Sequence, residues 1–325
     1  MKIIKLENEK QSLTILTLGA TIHEWNAFSD RRNIVISNHN LEDYKDPVKG
    51  FFNTTIGRVA NRIKDGKFIL NDKTYLLERN FHGNNHGHGG STGFFSKEFS
   101  VVSQSQTSVV LRYLSSDGES GYPGNFELFV TYELDGEYFK VTYDGTTDKD
   151  TIANITNHAH FNLSLENTVL NHFVTVEADR VLEIDKDLIP SGNYIEVKNT
   201  PFDLNQSIQL EKVIKNPLVQ HITKGLDHAY ILKKEKPQVS LVFEDKHLDI
   251  ETTYPGVQIY SMNNPVKQVL LGNRQFEFHA GIAFEPQFEP NAINIPHFSS
   301  VILRKSDTYH QEIVYRVYEN EKAGY

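Results

Sequence analysis

The chain of 325 residues contains no cysteine, which removes disulfides, thiolate nucleophiles, Cys-ligated zinc and iron–sulfur clusters in one step. It gives no support to a secreted, disulfide-stapled scaffold either. Positive charge is in short supply: Lys+Arg 33 stand against Asp+Glu 42, a formal net charge of −9 with 14 histidines counted neutral. Phosphate-backbone binding runs on clustered Lys and Arg, and the basic pairs present, Arg31-Arg32 and Lys233-Lys234, are too short to form a stripe. Nucleic acid is set aside as a partner. The first residues carry scattered charge at Lys2, Lys5, Glu7, Glu9 and Lys10, with no apolar run of signal-peptide or membrane-spanning length behind them. The expectation is a cytoplasmic protein with no membrane partner. Low-complexity tracts, fixed-period repeats and Pro/Gly/Ser linkers are missing too, so residues 1–325 are expected to form one domain.

What the chain does have is a globular profile, 38% hydrophobic, 11% aromatic and 23% charged, at a length that can bury a large core. The dominant periodicity is two. Lys67 to Leu77 alternates around a turn at Asn71-Asp72, and Ser108–Leu114, Phe126–Leu134 and Tyr138–Tyr143 are rich in Val, Phe, Tyr, Leu and Thr. Such side chains fit a pleated, half-buried surface. Asp135-Gly136 between the last two reads as a hairpin turn with positive φ at both positions. Further strands are expected at Ile152–Asn157, Val174–Ala178, Val239–Phe243, Leu248–Thr253, Val257–Ser261 and Glu312–Tyr318. Helix signals are confined to short stretches at 205–213 and 216–224. The fold class is therefore all-β, a large antiparallel β-sandwich.

Five segments collect the residues that carry chemistry. Gly57-Arg58-Val59-Ala60-Asn61-Arg62-Ile63 offers an amide and a guanidinium fork as donors to a polar ligand, where a charged surface loop would be the ordinary alternative. Asn84-Asn85-His86-Gly87-His88-Gly89-Gly90 places two histidines among three glycines, so the backbone can pass close to something bulky. In Ile155-Thr156-Asn157-His158-Ala159-His160-Phe161-Asn162-Leu163, a strand would put His158, His160 and Asn162 on one face. Three polar groups there need partners once buried, which suits either a site or a structural network. Gly225-Leu226-Asp227-His228 alone reads as a turn. In Phe284-Glu285-Pro286-Gln287, the proline biases Glu285 toward an extended backbone, which puts Glu285 and Gln287 on the same face. A desolvated carboxylate ending a buried strand is a candidate general base. No nucleophile elbow, phosphate loop or dinucleotide fingerprint competes with this set, which would suit a sugar.

Taken in order, these segments resemble the aldose 1-epimerases, also called galactose mutarotases. The family's Gly-Arg-x-Ala-Asn-Arg-Ile is similar to Gly57–Ile63, its His-Gly-Gly to His88-Gly89-Gly90, its Asn-His-x-Tyr-Phe-Asn-Leu to Asn157–Leu163, its Gly-Leu/Ile-Asp-His to Gly225–His228 and its Phe-Glu-x-Gln to Phe284–Gln287. Pro255-Gly256-Val257-Gln258 and Gly121-Tyr122-Pro123-Gly124 resemble two further family segments. The resemblance spans roughly Gly57 to Ala292 and implies a galactose-mutarotase-like β-sandwich that interconverts the anomers of a free hexose, galactose or glucose, without cofactor or metal. It implies Glu285 as catalytic base, His158 as general acid and His88 as a second active-site histidine. Asn61, Arg62, Asp227, Gln258 and Gln287 then match ligands of the sugar hydroxyls.

Three positions depart from the family pattern. Gly87 stands where Leu is common and is expected to loosen the His88 loop. His160 stands where Tyr is common, and Pro286 stiffens the strand of Glu285. Two rival readings follow from the residues. One is a metal-dependent sugar isomerase, because His86-x-His88 and His158-x-His160 have strand spacing for two imidazoles on one ion. The other is a carbohydrate-binding protein on the same fold, which would not need both Glu285 and His158. The oligomeric state is not encoded in any of these features.

Overall fold

The computed structural model describes residues 1–320 except 47, 48, 50, 83 and 267. Two antiparallel sheets dominate. The nine-stranded one runs from Ser100–Gln104 through Ser108–Ser115, Phe126–Asp135, Tyr138–Thr147, Tyr309–Glu319, Lys246–Thr252, Val239–Phe243 and Phe173–Val176 to Ile208–Gln209. The six-stranded one follows the order His160–Phe161, Ile282–Gln287, Gly256–Tyr260, Asp227–Leu232, Ala178–Ile184 and Pro190–Glu196. Their apolar faces share one core cluster: Val130, Val141, Leu248 and Ile313 come from the first sheet, Phe284, Ile259 and Val181 from the second. This is the antiparallel sandwich expected from the period-two pattern.

A four-stranded sheet, Ile3–Glu7, Ser12–Leu16, Thr21–Ala27 and Arg32–Asn33, was not among the expected strands. It delivers Trp25 into the middle of the core, edge-on to Phe139, Phe161 and Tyr315 at centroid distances of 4.9, 6.0 and 5.4 Å. The indole N–H donates to Gln11 Oε1 at 2.8 Å, and the Gln11 amide donates in turn to the carbonyls of Gly136 and Tyr138. A buried polar handle is satisfied at each step.

The Lys67–Leu70 and Lys73–Leu76 hairpin turns through Asn71 and Asp72 at φ 50° and 58°, as its turn residues require. The next hairpin differs from expectation by one position. Asp135 pairs with Tyr138, so the turn residues are Gly136 and Glu137, and only Gly136 has positive φ. Ile152–Asn157 is broken into Thr151–Ile152 and Thr156–Asn157, which pair with different partners. The helices are short: Leu210–Ile214, and Pro217–Thr223, which starts at Asn216 accepting from the N–H of Leu218. Among the described residues no helix is long and apolar enough to cross a membrane.

Candidate active site

Strand register builds the floor of the site. Ala283 lies opposite both His160 and Tyr260, and Tyr260 lies opposite Asp227, which makes one row across the six-stranded sheet. The adjacent row is Glu285, Gln258 and Ala229. Side chains alternate along a strand, so these residues share one face. The alternate residues Phe161, Ile282, Phe284, Val257, Ile259 and Tyr230 join the core on the other. One face of the sheet therefore packs on the core, while the other carries the site residues and, at Ala229, joins a second apolar cluster.

The walls come from segments far apart in sequence. Arg62 pairs with Gly87, and the backbone of His88 donates to the Asn61 carbonyl at 2.9 Å, so the first two motif segments form one unit. Gly89 is the tight point: its φ is +82°, and a Cβ there would lie 1.9 Å from the Gly57 carbonyl oxygen. The bulky thing that this glycine loop passes is the Gly57-Arg58 backbone. At Gly87 the Phe81 side chain takes the space of a residue's own, 3.1 Å from where a Cβ would stand. The Phe81 ring covers the Arg62 guanidinium at 4.7 Å. Arg58, the other arginine of the motif, is buried away from the cavity and donates to the carbonyls of Pro123, Gly124 and Ser115.

Floor and walls enclose a cavity of about 490 Å³. Asn61, Arg62, His88, His158, Asp227, Gln258 and Glu285 all line it, with Phe51, Phe52, Phe81, Tyr260 and Phe276 supplying flat apolar surface. Seven of the eight expected site residues thus converge. Gln287 does not: it sits one row beyond, opposite Gly256, outside the cavity wall and with neither amide atom hydrogen-bonded among the described residues. Asn162 also turns away, donating to the carbonyls of Glu166 and Ala280. Sequence reasoning missed Tyr260 and Phe81. Tyr260 was within reach, two residues beyond Gln258 in a period-two run, whereas Phe81 carries no local signal.

A connected polar network joins four of the lining residues. Arg62 Nη2 donates to Asp227 Oδ2 at 3.0 Å and Nη1 to Asn61 Oδ1 at 3.2 Å, and Gln258 Nε2 donates to Asp227 Oδ1 at 2.5 Å. Beside it His158 Nε2 lies 3.4 Å from Glu285 Oε1. Burial pushes the Glu285 carboxyl well above the usual carboxylate range; Asp227 adds to the rise and Arg62 opposes it. Burial lowers His158 to about 4; its own backbone carbonyl and then Asp227 counteract this in part, and Arg62 adds to it. Burial thus biases the pair toward a neutral carboxylic acid facing a neutral imidazole.

His88, His158 and Glu285 each offer a donor atom within 4.8 Å of the others, the spacing of a three-ligand metal cluster. The hydrogen bonding does not suit that use. The Asn61 backbone N–H donates to His88 Nδ1 at 3.3 Å, which assigns the ring hydrogen to Nε2 and makes that atom a donor. The His-x-His pairs do not converge either. His86 is engaged by the Glu78 carbonyl and the Tyr122 hydroxyl at 2.8 and 2.7 Å. His158 and His160 are stacked at 4.7 Å with planes 22° apart, so their in-plane lone pairs run side by side. The donor set fits proton transfer to a polyhydroxylated ligand.

Comparison with known proteins agrees with this geometry. The family model described as aldose 1-epimerase matches residues 2–316. The chain is 35% identical over 320 residues to galactose mutarotase of Sus scrofa, covering 94% of this chain and 90% of the relative. It is 33% identical over 282 residues to aldose 1-epimerase of Escherichia coli (strain K12), covering 82% and 80%. An aldose epimerase homologue from C. elegans superposes with a TM-score of 0.90 at 28% identity, over 98% of this chain and 99% of that one.

Proposed function

The chain belongs to the aldose 1-epimerase family, and from that premise we propose that its cavity interconverts the α and β anomers of a free hexose, galactose or glucose, with Glu285 as base and His158 as acid. The observation that carries the assignment is the buried Glu285–His158 pair, 3.4 Å apart beside a ready-made set of hydroxyl partners.

The reaction moves one proton from O1 of the sugar to its ring oxygen. Glu285 removes the hydrogen of the anomeric hydroxyl, the O1–H electrons form the carbonyl, the C1–O5 bond breaks and His158 protonates O5. Rotation about C1–C2 presents the other face of the aldehyde. On closure His158 takes the proton back from O5 as it attacks C1, and Glu285 returns its proton to O1. The pair thus alternates between carboxylate with imidazolium and carboxylic acid with imidazole, one proton in total. The second form, toward which burial biases the pair, is the one that accompanies the open-chain aldehyde. Ring opening starts from the first form, so contacts made by the bound sugar must offset that bias before Glu285 can act as base. Each transfer by a positioned group contributes typically ~10²–10⁴-fold. Asp227, held by Arg62 and Gln258, accepts from a hydroxyl, while Asn61, Arg62 and the Nε2–H of His88 donate.

Optical rotation of freshly dissolved α-D-galactose and α-D-glucose tests the proposal. Native protein is expected to speed the decay, and Glu285→Gln to lose most of the acceleration while remaining folded. A Glu285→Gln variant with a near-native rate would remove Glu285 from its role. Binding of either sugar without acceleration by the native protein would favour the carbohydrate-binding reading instead.

A further inference from the structure

An acid–base imidazole is normally oriented by a hydrogen bond on the nitrogen that does not react. His158 has no such bond from another residue: its Nδ1 makes no hydrogen bond of normal geometry among the described residues, the ring is drawn only toward its own backbone carbonyl, and Nε2 faces Glu285. Without another constraint the ring could rotate about its side-chain bonds and take Nε2 off the proton path.

The constraint present is aromatic. The His160 ring stacks on His158 at a centroid distance of 4.7 Å, the shortest ring contact that His158 makes. Phe51 lies at 6.3 Å, His88 edge-on at 5.3 Å and Tyr260 edge-on at 6.5 Å. His160 is itself fixed. Its ring meets Phe52 at 4.9 Å, its backbone N–H donates to Asn53 Oδ1 at 2.8 Å, and its carbonyl accepts from Ile36 at 2.8 Å. The N–H of Asn53 donates to the His158 carbonyl at 2.9 Å, so one asparagine side chain and backbone clamp both ends of the His158–His160 step. Asn53 makes this reach at φ 58°, a conformation that asparagine tolerates. The platform is thus anchored from outside the segment that bears the acid.

We propose that His160 is a positioning residue, whose ring face holds the plane of His158 so that Nε2 stays between Glu285 and the ring oxygen of the bound sugar. The proposal rests on the acid role given to His158 above. What His160 supplies is a flat, well-anchored face, and its own nitrogens are not required. As His158 becomes imidazolium, the same face offers π electrons to the growing charge. A positioning fault of this kind lowers turnover and leaves affinity for the sugar nearly intact, because Asn61, Arg62, Asp227 and Gln258 are held by their own hydrogen bonds and not by the His158 ring.

The test compares His160→Phe, which keeps a flat ring, with His160→Leu, which fills the volume without one, and His160→Ala. Polarimetry on galactose gives kcat and KM for each, and imidazole 15N NMR reports the His158 ring without requiring turnover. His160→Leu and His160→Ala are expected to lose roughly tenfold in kcat with KM within about twofold, and His160→Phe to recover to within about threefold of native. The His158 resonances should keep their native tautomer pattern in His160→Phe and change it in His160→Leu. Equal rates for Phe and Leu, or a loss confined to KM, would overturn the proposal. If the native protein accelerates no aldose, the proposed function fails first, and unchanged His158 resonances in His160→Leu would then reject the positioning claim on its own.

Discussion

Glu285 is a carboxyl that the fold holds at a cost. It is 2% exposed, its Oε2 has no hydrogen-bond partner among the described residues, and burial raises its proton affinity well above normal. A carboxyl whose folded-state pKa is raised contributes stability that is fully present below the unfolded value and is lost as pH rises through the folded one. The native protein should therefore lose roughly 1.4 kcal/mol per pH unit, over that interval, relative to a variant with no carboxyl at 285. Glu285→Gln is predicted to melt higher than native protein at pH 8, with the gap closing as pH falls toward 5. Parallel melting curves at pH 5 and 8 would check this, and a constant gap would contradict it. The activity lost and the stability gained then have one origin, a desolvated carboxylate kept for proton transfer.

At the level of elements, Gln258 and Glu285 were legible because each lies on a stretch read as extended. Asp227, expected in a turn, opens the strand Asp227–Leu232 and was singled out by the family resemblance, and the sheet order then brought the three together. That order is not local, so convergence was not legible. Nor was the N-terminal sheet, whose Trp25 reaches partners more than a hundred residues away. The His158–Asn162 stretch misled in one respect. It reads as one strand, but breaks at Ala159 because the clamp by Asn53 replaces regular pairing. Gln287 misled differently, as a same-face residue one step past the cavity. The glycine loop makes a prediction at this scale. Gly89→Ala forces a Cβ onto the Gly57 carbonyl at positive φ, so it should destabilise by several kcal/mol or prevent folding. Denaturant unfolding would measure it. Gly136→Ala, whose Cβ would meet nothing within 4 Å, is the control, limited to the turn's φ strain of about 1 kcal/mol.

Across the whole molecule, histidines sit inside the fold far from as well as within the cavity. Burial lowers His172 to about 3, and His158 and His228 to about 4, and it also depresses His86, His88 and His160. For such groups the unfolded chain takes up protons that the folded one refuses, so stability falls as pH drops below 6.5 toward the folded values. Each fully buried histidine withdraws up to roughly 1.4 kcal/mol per pH unit there, and a domain has only about 5–15 kcal/mol in all. Melting temperature is predicted to fall steeply between pH 6.5 and 5, with uptake of several protons on unfolding. His172→Gln, remote from the cavity, should flatten the slope without touching kcat. A flat profile would mean that these rings already share protons in the fold. The two-faced sheet has a consequence of a different kind. In the strands Ile282–Gln287, Gly256–Tyr260 and Asp227–Leu232 the residues Phe284, Val257, Ile259 and Tyr230 face the core, while Glu285, Gln258, Tyr260 and Asp227, on the opposite face, line the cavity. A substitution at one of these positions edits one compartment and spares the other. A one-residue deletion exchanges the two, driving carboxylates into the core and aliphatics into the cavity. Descendants of this chain can thus drift in sugar preference by point changes along these strands, while changes in length are confined to the loops between them.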